Sequence, residues 1–168
     1  LNINQSSGPS SYINVNFIRN ESSSEGGGVR TLALGDGPTF SDCNFIENSA
    51  LSGGGLYIGG AGLGNRSISG ISFINNSADC GSAITLLDLT QGILELYNLT
   101  FVNNSYVICN SDGGDLTVNY NNFYNNGFGF INNDNSTISN VSNNYWGSSF
   151  GPYHPSQNPS VSELQPML

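Results

Sequence analysis

The tetrapeptide Phe73-Ile74-Asn75-Asn76 decides the fold, because the chain repeats it. Phe17-Ile18-Arg19-Asn20 and Phe45-Ile46-Glu47-Asn48 precede it, and Phe101-Val102-Asn103-Asn104 and Phe123-Tyr124-Asn125-Asn126 follow it. The Phe positions are spaced 28, 28, 28 and 22 residues apart. A further 22 residues lead to Tyr145-Trp146, where the motif degenerates. Self-similarity at such a period is the mark of a solenoid.

Other positions keep the same register. Two before each Phe stand Val15, Cys43, Ile71 and Leu99, then Asn121. Five before stand Tyr12, Phe40, Ile68, Leu96 and Val118. A second apolar run follows a small-residue turn, as in Gly26-Gly27-Gly28-Val29, Gly53-Gly54-Gly55-Leu56 and Gly81-Ser82-Ala83-Ile84. No window carries a helical apolar stripe with caps. Each unit therefore reads as a few short strands separated by Gly, Asn and Ser turns. The expected fold is all-β: a single right-handed parallel β-helix of about six coils, over residues 1–146, with a Pro-rich tail over 147–168. Trp146 would cover the open end of the core, and Pro152, Pro155, Pro159 and Pro166 cannot continue a backbone ladder.

In such a stack each side chain lies on its equivalent in the next coil, roughly 4.8 Å away. Phe is expected on Phe and Ile on Ile inside the core. Asn20, Asn48, Asn76, Asn104 and Asn126 should form an inward amide ladder that satisfies turn backbone.

Composition narrows the function. Of 168 residues, 9% are charged and 37% apolar, Asn occurs 26 times, Lys is absent, and net charge is -9. Three arginines and one His cannot build a phosphate-tracking surface, so nucleic acid is not the expected partner. No 18-residue apolar run suggests membrane insertion. The scattered carboxylates suggest no catalytic pair, and His154 has no Ser or Cys pattern around it. Asp112 and Asp115 flank a Gly-Gly turn, a weak calcium signal. Neither a metal nor another cofactor is expected, nor a catalytic residue. Tyr12, Tyr57, Tyr97, Tyr106, Tyr120 and Tyr124 could offer sugar-stacking faces. That leaves a carbohydrate-binding or polysaccharide-processing β-helix as the alternative function.

Eight Asn-x-Ser/Thr sequons occur. Asn20 belongs to the inward ladder and should stay unmodified, while Asn75, Asn98, Asn103, Asn65, Asn135, Asn140 and Asn4 are the glycosylation candidates. Glycans would supply the solubility that charge usually gives. Of three cysteines, Cys43 sits in an inward column, and Cys80 and Cys109, 29 residues apart, fall near enough to one repeat to bridge neighbouring coils.

The Phe-x-x-Asn and Gly-Gly-hydrophobic units, with Gly54-Gly55-Leu56-Tyr57 and Gly81-Ser82-Ala83-Ile84, resemble repeats of chlamydial polymorphic outer-membrane proteins and related surface β-helix proteins. The stretch from Asn143-Asn144-Tyr145-Trp146-Gly147 to Gly151-Pro152 resembles the segment ending the β-helix in secreted adhesin-like proteins. The resemblance implies an extracellular or cell-surface setting and no catalytic residues. The expected function is a structural or adhesive glycoprotein, associating with itself end to end into a filament or forming part of a longer surface β-helix, with glycans or cell-surface molecules as further partners. Residues 159–168 would then be available to bridge to the next subunit.

Overall fold

Apolar residues alternate with small polar ones over runs of three, and Asn, Gly or Ser bounds each run. That pattern favours short extended segments joined by tight turns. A computed structural model describes residues 1–5, 10–33, 37–60, 66–132, 139–147 and 163–166, and it is an all-β parallel β-solenoid. Its regular part comprises about three turns of about 28 residues.

The strands are β1 (Asn2–Gln5), β2 (Ser11–Ile13), β3 (Asn16–Ile18), β4 (Val29–Ala33), β5 (Thr39–Ser41), β6 (Asn44–Ile46), β7 (Leu56–Gly59) and β8 (Arg66–Ser69). They continue as β9 (Ser72–Ile74), β10 (Ile84–Tyr97), β11 (Thr100–Val102), β12 (Tyr106–Asn119), β13 (Asn122–Tyr124), β14 (Phe128–Asn132), β15 (Ser139–Asn140) and β16 (Glu163–Pro166). One sheet runs β1-β4-β7-β10-β12-β14-β16, with β8 also on β10 and β15 also on β12. A second runs β13-β11-β9-β6-β3, and β2 pairs with β5. Each of these pairings is parallel.

Register follows the repeat. Phe17, Phe45, Phe73, Phe101 and Phe123 lie directly opposite one another on successive strands. Their rings stack with centroids 4.7, 5.0, 5.4 and 4.8 Å apart. Trp146 continues the column on Phe123 at 4.4 Å, so the last interval is 23 residues and the indole takes the Phe position. Tyr145 falls instead beside Asn122.

One expectation about the core is corrected. Ile18, Ile46, Ile74 and Val102 do not stack inside it. In β3 the burial runs exposed, buried, exposed, and Ile18 is 48% exposed. Successive side chains of a strand point to opposite faces, so the neighbour of an inward Phe must point out. The Ile column forms an apolar stripe on the outer face.

A second difference lies in the strands. The first coils use short strands, but β10 and β12 run for 14 residues each, so the turn inside that part of the coil is replaced by irregular register between Leu86 and Ile93. The tail differs too. Glu163–Pro166 pairs with β14 of its own chain. The Pro-rich stretch 148–162 lies outside the described residues.

The glycine turns are packing devices. A Cβ on Gly54 would lie 2.5 Å from the Ser77 carbonyl oxygen and 2.6 Å from that of Ser82. Gly27 faces the carbonyls of Ser49 and Gly54 equally closely. These contacts are to backbone, which cannot swing aside, so only glycine lets the coils approach here.

Candidate functional site

Three features stand apart from the plain core: the buried amide ladder, the exposed turn columns, and the first-coil edge.

In the ladder, Asn76 Nδ2 donates to the Phe45 carbonyl at 2.9 Å and to Asn104 Oδ1 at 3.1 Å. Its own Oδ1 accepts from the Asn48 backbone N–H and from Asn48 Nδ2, both at 3.0 Å. Asn48 and Asn104 repeat this arrangement. Asn126 closes it by donating to the Phe101 carbonyl at 3.0 Å. Asn48, Asn76 and Asn104 thus each join three coils. Asn48, Asn76, Asn104 and Asn126 are buried, and Asn20, in the first coil, is partly exposed.

A second ladder begins where the neighbouring apolar column turns polar. Asn121 Oδ1 accepts from the Leu99 N–H, and Asn121 Nδ2 donates to the Leu96 carbonyl and to Asn144 Oδ1. Asn144 Nδ2 donates to the Val118 carbonyl at 2.6 Å. The sequence signal was present, since Asn121 breaks the column of Val15, Cys43, Ile71 and Leu99. Its inward direction needed the structure.

Sequence reasoning aligned Arg19, Glu47, Asn75 and Asn103 in one column but missed the left-handed backbone of the turn columns. Asn14, Asp42, Gly70, Asn98, Tyr120 and Asn143 hold one corner with φ between 52° and 66°. Arg19, Glu47, Asn75, Asn103 and Asn125 hold another with φ between 50° and 54°. Asn, Asp and Gly tolerate this left-handed conformation best, and they occupy eight of these eleven positions. Arg19 and Glu47, stacked in the second column, form an exposed ion pair, and the carboxylate beside it raises the Arg19 pKa. At that exposure it contributes little to stability.

These corners sort the glycosylation candidates. Asn75, Asn98 and Asn103 are exposed and sit in the left-handed turns. Asn140 is exposed at the end of β15. The backbone of Asn4 lies in β1, and Asn65 and Asn135 lie outside the described residues.

Cys80 and Cys109 form a disulfide with Cα atoms 5.7 Å apart, and Cys43 is free and buried. The tyrosines divide. Tyr57 is buried, Tyr12, Tyr97 and Tyr106 are partly buried, and Tyr120, Tyr124 and Tyr145 are exposed. Tyr124 and Tyr145 touch with ring centroids 5.3 Å apart. Among the described residues no three His, Cys, Asp or Glu side chains group as a metal site would need, and no helix is long and apolar enough to cross a membrane. Asp115 is exposed within β12, and His154 lies outside the described residues.

At the first coil, β1 and β3 are terminal strands of their sheets. The Arg30 N–H donates to the Leu1 carbonyl, so in a parallel ladder the main-chain groups of Asn2 and Asn4 face away from β4. Ile13 and Ile18 are exposed at the same end.

The chain matches no family model, no curated protein and no solved structure.

Proposed function

We propose that the chain is a non-catalytic structural or adhesive module of an extracellular or cell-surface glycoprotein, which associates end to end or forms part of a longer surface β-helix. The observation that carries this reading is the parallel strand-on-strand stacking of the coils, which a further coil, of this chain or of another, would continue. Unpaired strand edges template pairing with another chain. A right-handed stack of about six coils, the sense favoured by parallel crossovers, makes the rod. The likeness of its repeats to chlamydial polymorphic outer-membrane proteins and adhesin-like proteins supports the surface setting. The exposed sequons at Asn75, Asn98 and Asn103 support glycosylation there.

Sedimentation velocity and negative-stain microscopy of the full chain over a concentration series test the association. Rods that lengthen with concentration are expected, and Asn4→Pro, which removes an edge donor, should shorten them. Discrete monomers at every concentration overturn it. A second reading, binding of neutral carbohydrate, draws on the exposed Tyr124–Tyr145 pair. A glycan array with wild type and Tyr124→Ala distinguishes it.

A further inference from the structure

The sequons are not equivalent. Asn75 and Asn103 share a turn column with Arg19, Glu47 and Asn125, so neither has an aromatic neighbour in that column. Asn98 belongs to the other column, between Gly70 and Tyr120. The register fixes this. Tyr97 lies opposite Asn119 and Thr100 opposite Asn122, which brings Asn98 beside Tyr120 on the next coil, roughly 4.8 Å away.

The two sides of Asn98 differ in kind. Toward the preceding coil is Gly70, which has no side chain. Even a Cβ added there would meet only Asp42 atoms, at 3.7 and 3.8 Å. Toward the following coil is Tyr120, 64% exposed and, among the described residues, the most exposed of the large hydrophobic side chains. Asn98 and Tyr120 share the left-handed backbone, with φ of 52° and 57°, so their Cα–Cβ bonds leave the corner in similar directions. Asn98 is itself exposed, Leu99 is buried, and the sequon ends in Thr100. The corner thus has an open flank on one side, an aromatic wall on the other, and an amide nitrogen between them.

We propose that Asn98 carries an N-linked N-acetylhexosamine core whose first sugar packs against the Tyr120 ring. The proposal rests on the glycoprotein reading above. The modification joins Asn98 Nδ2 to C1 of the sugar. The C1–O bond of a sugar-diphosphate donor breaks, the diphosphate leaves, and Nδ2 gives up one proton. The apolar C–H face of a pyranose then covers ring surface that otherwise meets water, while the phenol oxygen stays solvated at the rim. The described residues of this turn column include no cation, so the sugar is held by stacking and amide contacts, as suits a neutral glycan.

The test is a cycle on the full chain secreted from a eukaryotic host. Intact mass and glycopeptide mapping establish occupancy at Asn98. Urea unfolding is then measured for wild type, Tyr120→Ala, Asn98→Gln and the double variant. Tyr120→Ala should lower the folding equilibrium constant about five-fold when Asn98 is glycosylated, and less than two-fold in the Asn98→Gln background. Tyr120→Phe should retain the coupling, because the ring remains. Equal losses in both backgrounds with Asn98 occupied overturn the proposal and leave the glycoprotein reading intact. An unmodified Asn98 in wild type overturns the proposal, and with the other sequons also unmodified it removes the glycoprotein reading as well.

Discussion

Replacing Asn76 by Ala removes four hydrogen bonds: two donated by its amide to the Phe45 carbonyl and Asn104 Oδ1, and two accepted from Asn48. A net value of about 1 kcal/mol per bond gives about 4 kcal/mol. Two features push the loss upward: the Asn48 N–H and the Phe45 carbonyl are left inside without these partners. Against a total stability of roughly 5–15 kcal/mol, that loss is large. Asn20→Ala is the internal control. The Asn20 side chain donates one bond, to Asn48 Oδ1 at 2.9 Å, and it sits in the half-exposed first coil. Its loss should cost about 1 kcal/mol or less.

Urea titration followed by far-UV circular dichroism reads both, with Trp146 fluorescence as a second probe, and coincident curves license the comparison. Asn76→Asp adds a signature that packing alone would not produce. A protonated acid can still donate once, but a carboxylate would face the Phe45 carbonyl and Asn104 Oδ1 as a third acceptor. The native state therefore holds the proton more tightly than the unfolded chain does, and the folded pKa is raised. Stability is then retained below about pH 4, the unfolded value, and falls as pH rises through the folded pKa. Equal losses for Asn76→Ala and Asn20→Ala, or an Asn76→Asp variant indifferent to pH, would refute the ladder as the element that ties the coils together.

Gly54→Ala should destabilise by more than about 3 kcal/mol or prevent folding, because the new Cβ meets two carbonyl oxygens within 2.6 Å; soluble yield and thermal unfolding check it. Thr31→Val should stabilise by about 1 kcal/mol, since the Thr31 hydroxyl is buried with no hydrogen-bond partner among the described residues; a lower urea midpoint would contradict this. Denatured but unreduced protein should expose one reactive thiol, Cys43, to maleimide mass labelling, and three after reduction. Cys80→Ala/Cys109→Ala should lose about 3 kcal/mol in urea, from the 29-residue loop that the bridge closes.

Much of this architecture was legible because a solenoid makes each residue its own neighbour. Once Phe17, Phe45, Phe73, Phe101 and Phe123 are aligned, their strands, partners and the Asn20–Asn126 ladder follow from counting. Counting also placed Cys80 near Cys109. It failed where the repeat length changes. The 14-residue strands β10 and β12 replace a turn, because contacts between coils decide there and spacing does not, whereas Trp146, expected over the end of the core, does stack on Phe123. The Ile18–Val102 stripe was misassigned to the core for a simpler reason: the two-residue alternation of a strand must send it outward once Phe points in.

The sequence by itself determined the period, the all-β class, the aromatic column and the inward amides. Each of these depends on one column of identical or similar residues. The tertiary structure alone decided which corners are left-handed, that Asn121 and Asn144 open a second ladder, and that Asn98 lies between a glycine and an exposed tyrosine. Those facts depend on the backbone path and on hydrogen bonds between residues 22 to 31 positions apart, which no local pattern encodes.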